Sequence, residues 1–143
     1  MKKFLVGVDG SDPSMHAIRK AAEYAKALGA ELVLAYALTP PMYLADAWSG
    51  PVSFEELERA ELKTAESILH NAQRVASESG CPAVVKMLRG SPALVLSEYA
   101  SNHPEIELLV VGSRGLGAVA NLLLGSVADR LVHLSNKPVL VVH

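Results

Sequence analysis

Residues 108–134 read LLVVGSRGLGAVANLLLGSVADRLVHL: an apolar run, a glycine-rich turn and an amphipathic close. Leu108, Leu109, Val110 and Val111 have no polar face, as expected of a strand buried on both sides. Gly112, Gly115, Gly125 and Ser126 then form the pattern G-x-x-G-x9-G-S, and Val127 to Leu134 has the character of a helix. A glycine turn leaving a strand, with Gly-Ser opening a helix, suits a phosphate chain. Glycine allows close backbone approach and positive φ. A helix N-terminus supplies unpaired N–H groups and a partial positive charge. The backbone N–H groups around Gly112 to Gly115 and Gly125 to Val127 are therefore candidate phosphate donors, with the Ser126 hydroxyl as one more. Arg114 either adds charge there or is a solvated loop arginine.

Working outward, the chain alternates strands and helices. Phe4 to Val8 is a short strand ending at Asp9-Gly10-Ser11, and a helix follows with Asp12 as cap and Pro13 in its first turn. That helix runs to about Leu28 and stops at Gly29. Leu32 to Leu38 is the second strand. Thr39 to Pro51 is a long loop whose Tyr43 and Trp48 either cover a ligand or meet a partner. Ser53 and Glu56 make a capping box. The helix behind it carries Leu57, Ala65, Ile68, Leu69, Ala72, Val75 and Ala76 at helical spacing and ends at Gly80. Ala83 to Leu88 is a third strand, and Gly90-Ser91-Pro92 opens a third helix. The fourth strand is Leu108 to Val111, the fourth helix Ser126 to Leu134, and the last strand Val139 to Val142. Such alternation implies right-handed crossovers and a parallel sheet with helices on both faces. Ligands in such sheets bind beyond the carboxyl ends of the strands, where strand order reverses. Asp9 and Gly112 both lie at such ends.

Asp9 is either an acceptor for a ribose hydroxyl or adenine amino group, or a stabiliser of the turn that follows it. Ala37 either lines an adenine slot or is a core alanine. Gly115 to Ala120 fits the dinucleotide fingerprint G-x-G-x-x-A, but Lys137-Pro138-Val139-Leu140 supplies no acid where one is required. A receiver domain needs an Asp ending strand three, and that strand ends in Leu88-Arg89-Gly90. The P-loop lysine and the G-x-S-x-G elbow are both missing. The five histidines have no partner at metal-ligand spacing. Asp129 and His133 are weak candidates for a catalytic base, so no catalytic residue and no metal-ligating residue is assigned.

Composition bounds the rest. The 143 residues fit one domain spanning 1–143, half of them hydrophobic and 5% aromatic. A net charge of −2 gives no basic field for nucleic acid or an anionic membrane. Cys81 is the one cysteine, which points to a reducing compartment. The start Met1-Lys2-Lys3 lacks a signal-peptide pattern, and no run reaches the length of a membrane span. The expected location is the cytoplasm.

These residues together resemble the universal stress protein family, in its ATP-binding branch, over essentially the whole chain. The resemblance is carried by Val6-Gly7-Val8-Asp9-Gly10-Ser11, Gly90-Ser91-Pro92, and Leu109 to Gly117. Leu123 to Asp129 and Lys137 to Val142 complete it. It implies an α/β three-layer sandwich, adenine nucleotide alpha hydrolase-like, with a five-stranded parallel sheet of order 3-2-1-4-5. It also implies a homodimer paired through Val139 to Val142, a strand that would otherwise be an exposed apolar edge. By the same resemblance Asp9 and Ala37 would hold adenine and ribose. Val111, Gly112, Gly115, Gly125, Ser126 and Val127 would hold the phosphates of ATP, with Mg²⁺ between phosphate oxygens. The implied function is an ATP-binding regulatory homodimer of the stress response that signals nucleotide occupancy to a protein partner. The alternative is a slow ATPase or phosphotransferase using the same site.

Overall fold

The computed structural model describes residues 1–39, 53–115 and 124–143. The expected loop over Thr39 to Pro51, with Tyr43 and Trp48, therefore lies almost wholly outside the described residues, as does most of the Gly115 to Ala120 segment. The elements in chain order are β1 (Lys3–Gly7), α1 (Asp12–Leu28), β2 (Glu31–Leu38) and α2 (Phe54–Glu78). They continue with β3 (Ala83–Arg89), α3 (Pro92–Asn102), β4 (Ile106–Gly112), α4 (Ser126–Leu134) and β5 (Val139–Val142). The five strands form one sheet in the order β3-β2-β1-β4-β5, and every pairing is parallel. The expected strand order and layering are thus observed.

Alternation along the strands divides the core into two layers. Phe4, Val6, Leu32, Leu34 and Val110 face α1 and α2, where Ile18, Ala21, Leu69, Ala72 and Val75 meet them. Leu5, Val33, Ala35, Leu109 and Val111 face α3 and α4, where Leu96, Ala100, Ala128 and Leu131 close the other side. Strands covered on both faces need no polar side, which is why β1 and β4 read as continuous apolar runs. β5 reads the same way, yet all four of its residues are only half-buried, because it is the edge of the sheet.

Two local expectations are corrected. The cap of α1 is Ser11, not Asp12: Ser11 has extended backbone (φ −75°, ψ 161°), and its Oγ accepts from the Ser14 N–H at 3.3 Å. Asp12 already lies in the first helical turn, where its charge faces the positive end of the helix dipole. Asp9 was expected to end strand one, but β1 closes at Gly7; Val8 keeps one sheet bond, its N–H donating to the Ala35 carbonyl at 2.9 Å. Two other end signals hold. Gly29 stops α1 in the left-handed region at φ 69°, and Ser53 Oγ accepts from the Glu56 N–H at 3.2 Å. Of the seven residues at helical spacing on α2, Leu57 and Ile68 are half-buried and the rest are buried.

Candidate functional site

Strand order reverses between β1 and β4; residues 8–11 lead from β1 into α1, and residues 113–125 lead from β4 into α4, of which 113–115 and 124–125 are described. The β1 corner is closed on itself. Asp9 Oδ1 accepts from the Ser11 N–H at 2.9 Å and from the Ser11 hydroxyl, while the Asp9 N–H donates to Ser14 Oγ at 3.2 Å. One carboxylate oxygen, Oδ2, is left out of these bonds.

The β4 corner is built differently. Ser113 is buried; its N–H donates to the Val142 carbonyl at 2.7 Å, and its carbonyl accepts from the Gly125 N–H at 2.5 Å. These bonds fix the start of α4 against the ends of β4 and β5. Gly125 is the N-cap of α4, and among the described residues no side chain caps the helix. Among the described residues, then, its first N–H groups are open to an outside acceptor.

The glycines of this corner serve close approach rather than unusual backbone angles. Among the described residues positive φ occurs at Gly10, Gly29, Gly80 and Gly90, not at Gly112, Gly115 or Gly125. A Cβ on Gly112 would stand 2.7 Å from the carbonyl carbon of Pro13, so that glycine is required by the packing of α1. A Cβ on Gly115 would stand 2.5 Å from Asp9 Oδ2, and one on Gly125 would stand 3.1 Å from the Arg114 Cα. The expected use of positive φ is therefore corrected for these three positions.

Between the two corners lies a cavity of about 420 Å³, within the range that takes a small molecule or cofactor. All nine predicted site residues line it: Asp9, Ala37, Val111, Gly112, Arg114, Gly115, Gly125, Ser126 and Val127. Asp129 and His133 do not; they form an exposed pair on α4 with His133 Nε2 3.7 Å from Asp129 Oδ1.

Sequence reasoning missed several lining residues, among them Tyr36, Pro92 and Leu96. Leu96 carries no sequence signal beyond its helical spacing, and Pro92 was read only as a helix start. Tyr36 matters most, because its hydroxyl donates to Glu61 Oε1 on α2 at 3.1 Å. Burial first, then the charge of Glu61 and its hydrogen bond, and last the charge of Asp9, push this phenol up to about 12. It is a neutral hydrogen-bonding group throughout the physiological range.

A parallel sheet of order 3-2-1-4-5 with a cavity at its switch point defines a doubly wound α/β protein. The chain belongs to the universal stress protein family, whose model matches residues 1–143. The universal stress protein YxiE of Bacillus subtilis is 34% identical over 145 residues, covering 98% of this chain and 97% of its own. Among solved structures, the universal stress protein UspA from Lactobacillus plantarum superposes with a TM-score of 0.84 at 26% identity, covering 99% of this chain and 97% of its own. A universal stress protein crystallised in complex with cAMP gives a TM-score of 0.71 at 32% identity, covering 99% and 96%. Among the described residues no helix is long and apolar enough to cross a membrane.

Proposed function

We propose that this protein binds ATP in the cavity between β1 and β4 and acts as a nucleotide-dependent regulatory homodimer. The observation that carries the reading is the uncapped start of α4 at Gly125, opening onto a cavity that Arg114 also lines. Unpaired N–H groups at a positive helix end suit phosphate oxygens. Ala37, Pro92 and Leu96 offer an apolar surface for a base. The relative solved with cAMP supports an adenine nucleotide as the ligand class.

Mg²⁺ fits this site as a companion of the nucleotide. Among the described residues no group of three or more His, Cys, Asp or Glu side chains is placed to hold a metal. Asp9, the one carboxylate lining the cavity among the described residues, has its Oδ1 engaged by Ser11. The ion would be held mainly by phosphate oxygens and water, and would neutralise their charge. The edge strand β5 offers the homodimer contact, since its outer side has no partner strand in the sheet.

Titration calorimetry of nucleotide-stripped protein with ATP and Mg²⁺, alongside light scattering, tests both halves. Saturable binding near one ATP per chain and twice the chain mass are expected. Gly125→Val should weaken ATP at least about tenfold, the loss of roughly one charge-assisted hydrogen bond. Absence of binding at millimolar ATP would overturn the nucleotide reading. cAMP in the same titration separates a triphosphate preference from a cyclic monophosphate one.

A further inference from the structure

The cavity has two walls of opposite hydrogen-bonding character. The start of α4 and Arg114 present donors. Asp9 and Tyr36, on the side of α1 and α2, present acceptors. The Tyr36 hydroxyl donates its one hydrogen bond to Glu61 Oε1, at 3.1 Å. A phenol has one donor, so any further hydrogen bond that Tyr36 Oη makes is one it accepts. Asp9 is committed on one side as well: Oδ1 takes the Ser11 N–H and hydroxyl, and Oδ2 takes part in neither bond.

The acceptor wall also has a position relative to the phosphates. Asp9 Oδ2 lies against Gly115, where an added Cβ would stand 2.5 Å away. Asp9 and Tyr36 line the same cavity. The acceptors therefore begin where the donor wall ends. In a nucleotide the group next to the phosphate is the sugar, and its hydroxyls are uncharged donors. An anion would be repelled by this wall. The apolar surface of Ala37, Pro92 and Leu96 is left for the base.

We propose that Tyr36, oriented by Glu61, selects ribonucleotides by accepting a hydrogen bond from a sugar hydroxyl. Tyr36 is thus a specificity-determining residue and Glu61 a positioning residue. The inference rests on the nucleotide reading above and extends it to the sugar.

The test is to titrate ATP, 2′-deoxy-ATP, 3′-deoxy-ATP and ITP into the wild-type chain, Tyr36→Phe and Glu61→Gln. The wild type is expected to prefer ATP over at least one deoxy analogue by about fivefold, the worth of one net hydrogen bond. Tyr36→Phe should close that gap by weakening ATP, and should leave the ATP-to-ITP ratio unchanged. Glu61→Gln keeps an acceptor for the phenol and should keep the gap. An unchanged gap in Tyr36→Phe overturns the inference, and so does equal weakening of every ligand, the mark of a purely structural role. A loss confined to the ATP-to-ITP ratio overturns it too, since it moves the contact to the base. Wild-type binding of ATP and both deoxy analogues with equal affinity sinks this inference alone. Failure of all four ligands to bind sinks the nucleotide reading beneath it.

Discussion

The corner from β1 into α1 and the corner from β4 into α4 stand side by side, yet only the first gives its helix a side-chain cap. Ser11 accepts from Ser14, and Asp9 holds Ser11 through both its N–H and its hydroxyl. At the second corner Gly125 occupies the cap position, and among the described residues no side chain takes the first N–H groups of α4. The difference costs little in folding, since glycine at an N-cap is only a few tenths of a kcal/mol worse than serine. It changes what each corner can do. A helix start satisfied by its own chain is a structural joint. One left open toward a cavity keeps its N–H groups for an incoming anion.

The sharpest way to break this comparison is to add one methyl group to each side of the second corner. Gly112 belongs to that corner by sequence, but its missing Cβ makes room for the backbone of Pro13 in the first. Backbone atoms cannot step aside as a side chain does. Gly112→Ala should therefore cost about 3 kcal/mol of stability through overpacking, read as a lower urea midpoint. Gly125→Ala also meets backbone, the Arg114 Cα at 3.1 Å and the Ser113 carbonyl oxygen at 3.3 Å, but at distances that call for a shift of only a few tenths of an ångström. It should cost well under half as much stability while weakening nucleotide binding. Equal destabilisation by the two substitutions would show that both glycines are packing residues.

A smaller effect separates the joint from the site. Ser11→Ala removes the cap of α1 and one donor to Asp9 Oδ1, and should cost about 1 kcal/mol. The unfolding midpoint would report it, with the folded protein's affinity for ATP falling only as far as Asp9 loosens. A stability change near zero would mean that Ser11 and Asp9 do not close the first corner as their geometry indicates.

The sequence made the architecture legible because burial and turn chemistry agree at nearly every element. Continuous apolar runs at Leu108 to Val111, a stop at Gly29 and a cap at Ser53 each have a local cause, and each was found where it was read. The clustering of all nine predicted residues around one cavity follows from the same logic, since they lie at or just beyond strand ends or at helix starts. Other features depend on contacts between distant parts of the chain. In Asp9-Gly10-Ser11-Asp12 either Ser11 or Asp12 could serve as cap, and only the folded position of Asp9 selects the serine. Gly112 reads as a phosphate glycine, but its constraint comes from Pro13 on another element. Tyr36 reads as an ordinary strand aromatic because its partner, Glu61, lies on the helix beyond the loop.

Tyr36 also supplies the mildest test, one that leaves both corners folded. Its phenol is pushed up to about 12 by burial and by Glu61, with Asp9 adding a lesser push, against an ordinary value of 10.0. A phenol is charged when deprotonated, so a raised value means that the fold favours the neutral form. Its contribution to stability is complete below about pH 10 and is lost as pH rises from there toward 12. Ultraviolet titration should therefore find a tyrosine step extending toward pH 12 that Tyr36→Phe removes. Glu61→Gln removes the neighbouring charge and should move that step down. Asp9→Asn should move it down less, because Asp9 is the smallest of the contributing causes. If Asp9→Asn left the step in place, Asp9 and Tyr36 would not share one electrostatic environment. The acceptor wall would then be two separate residues rather than one surface continuous with the first corner.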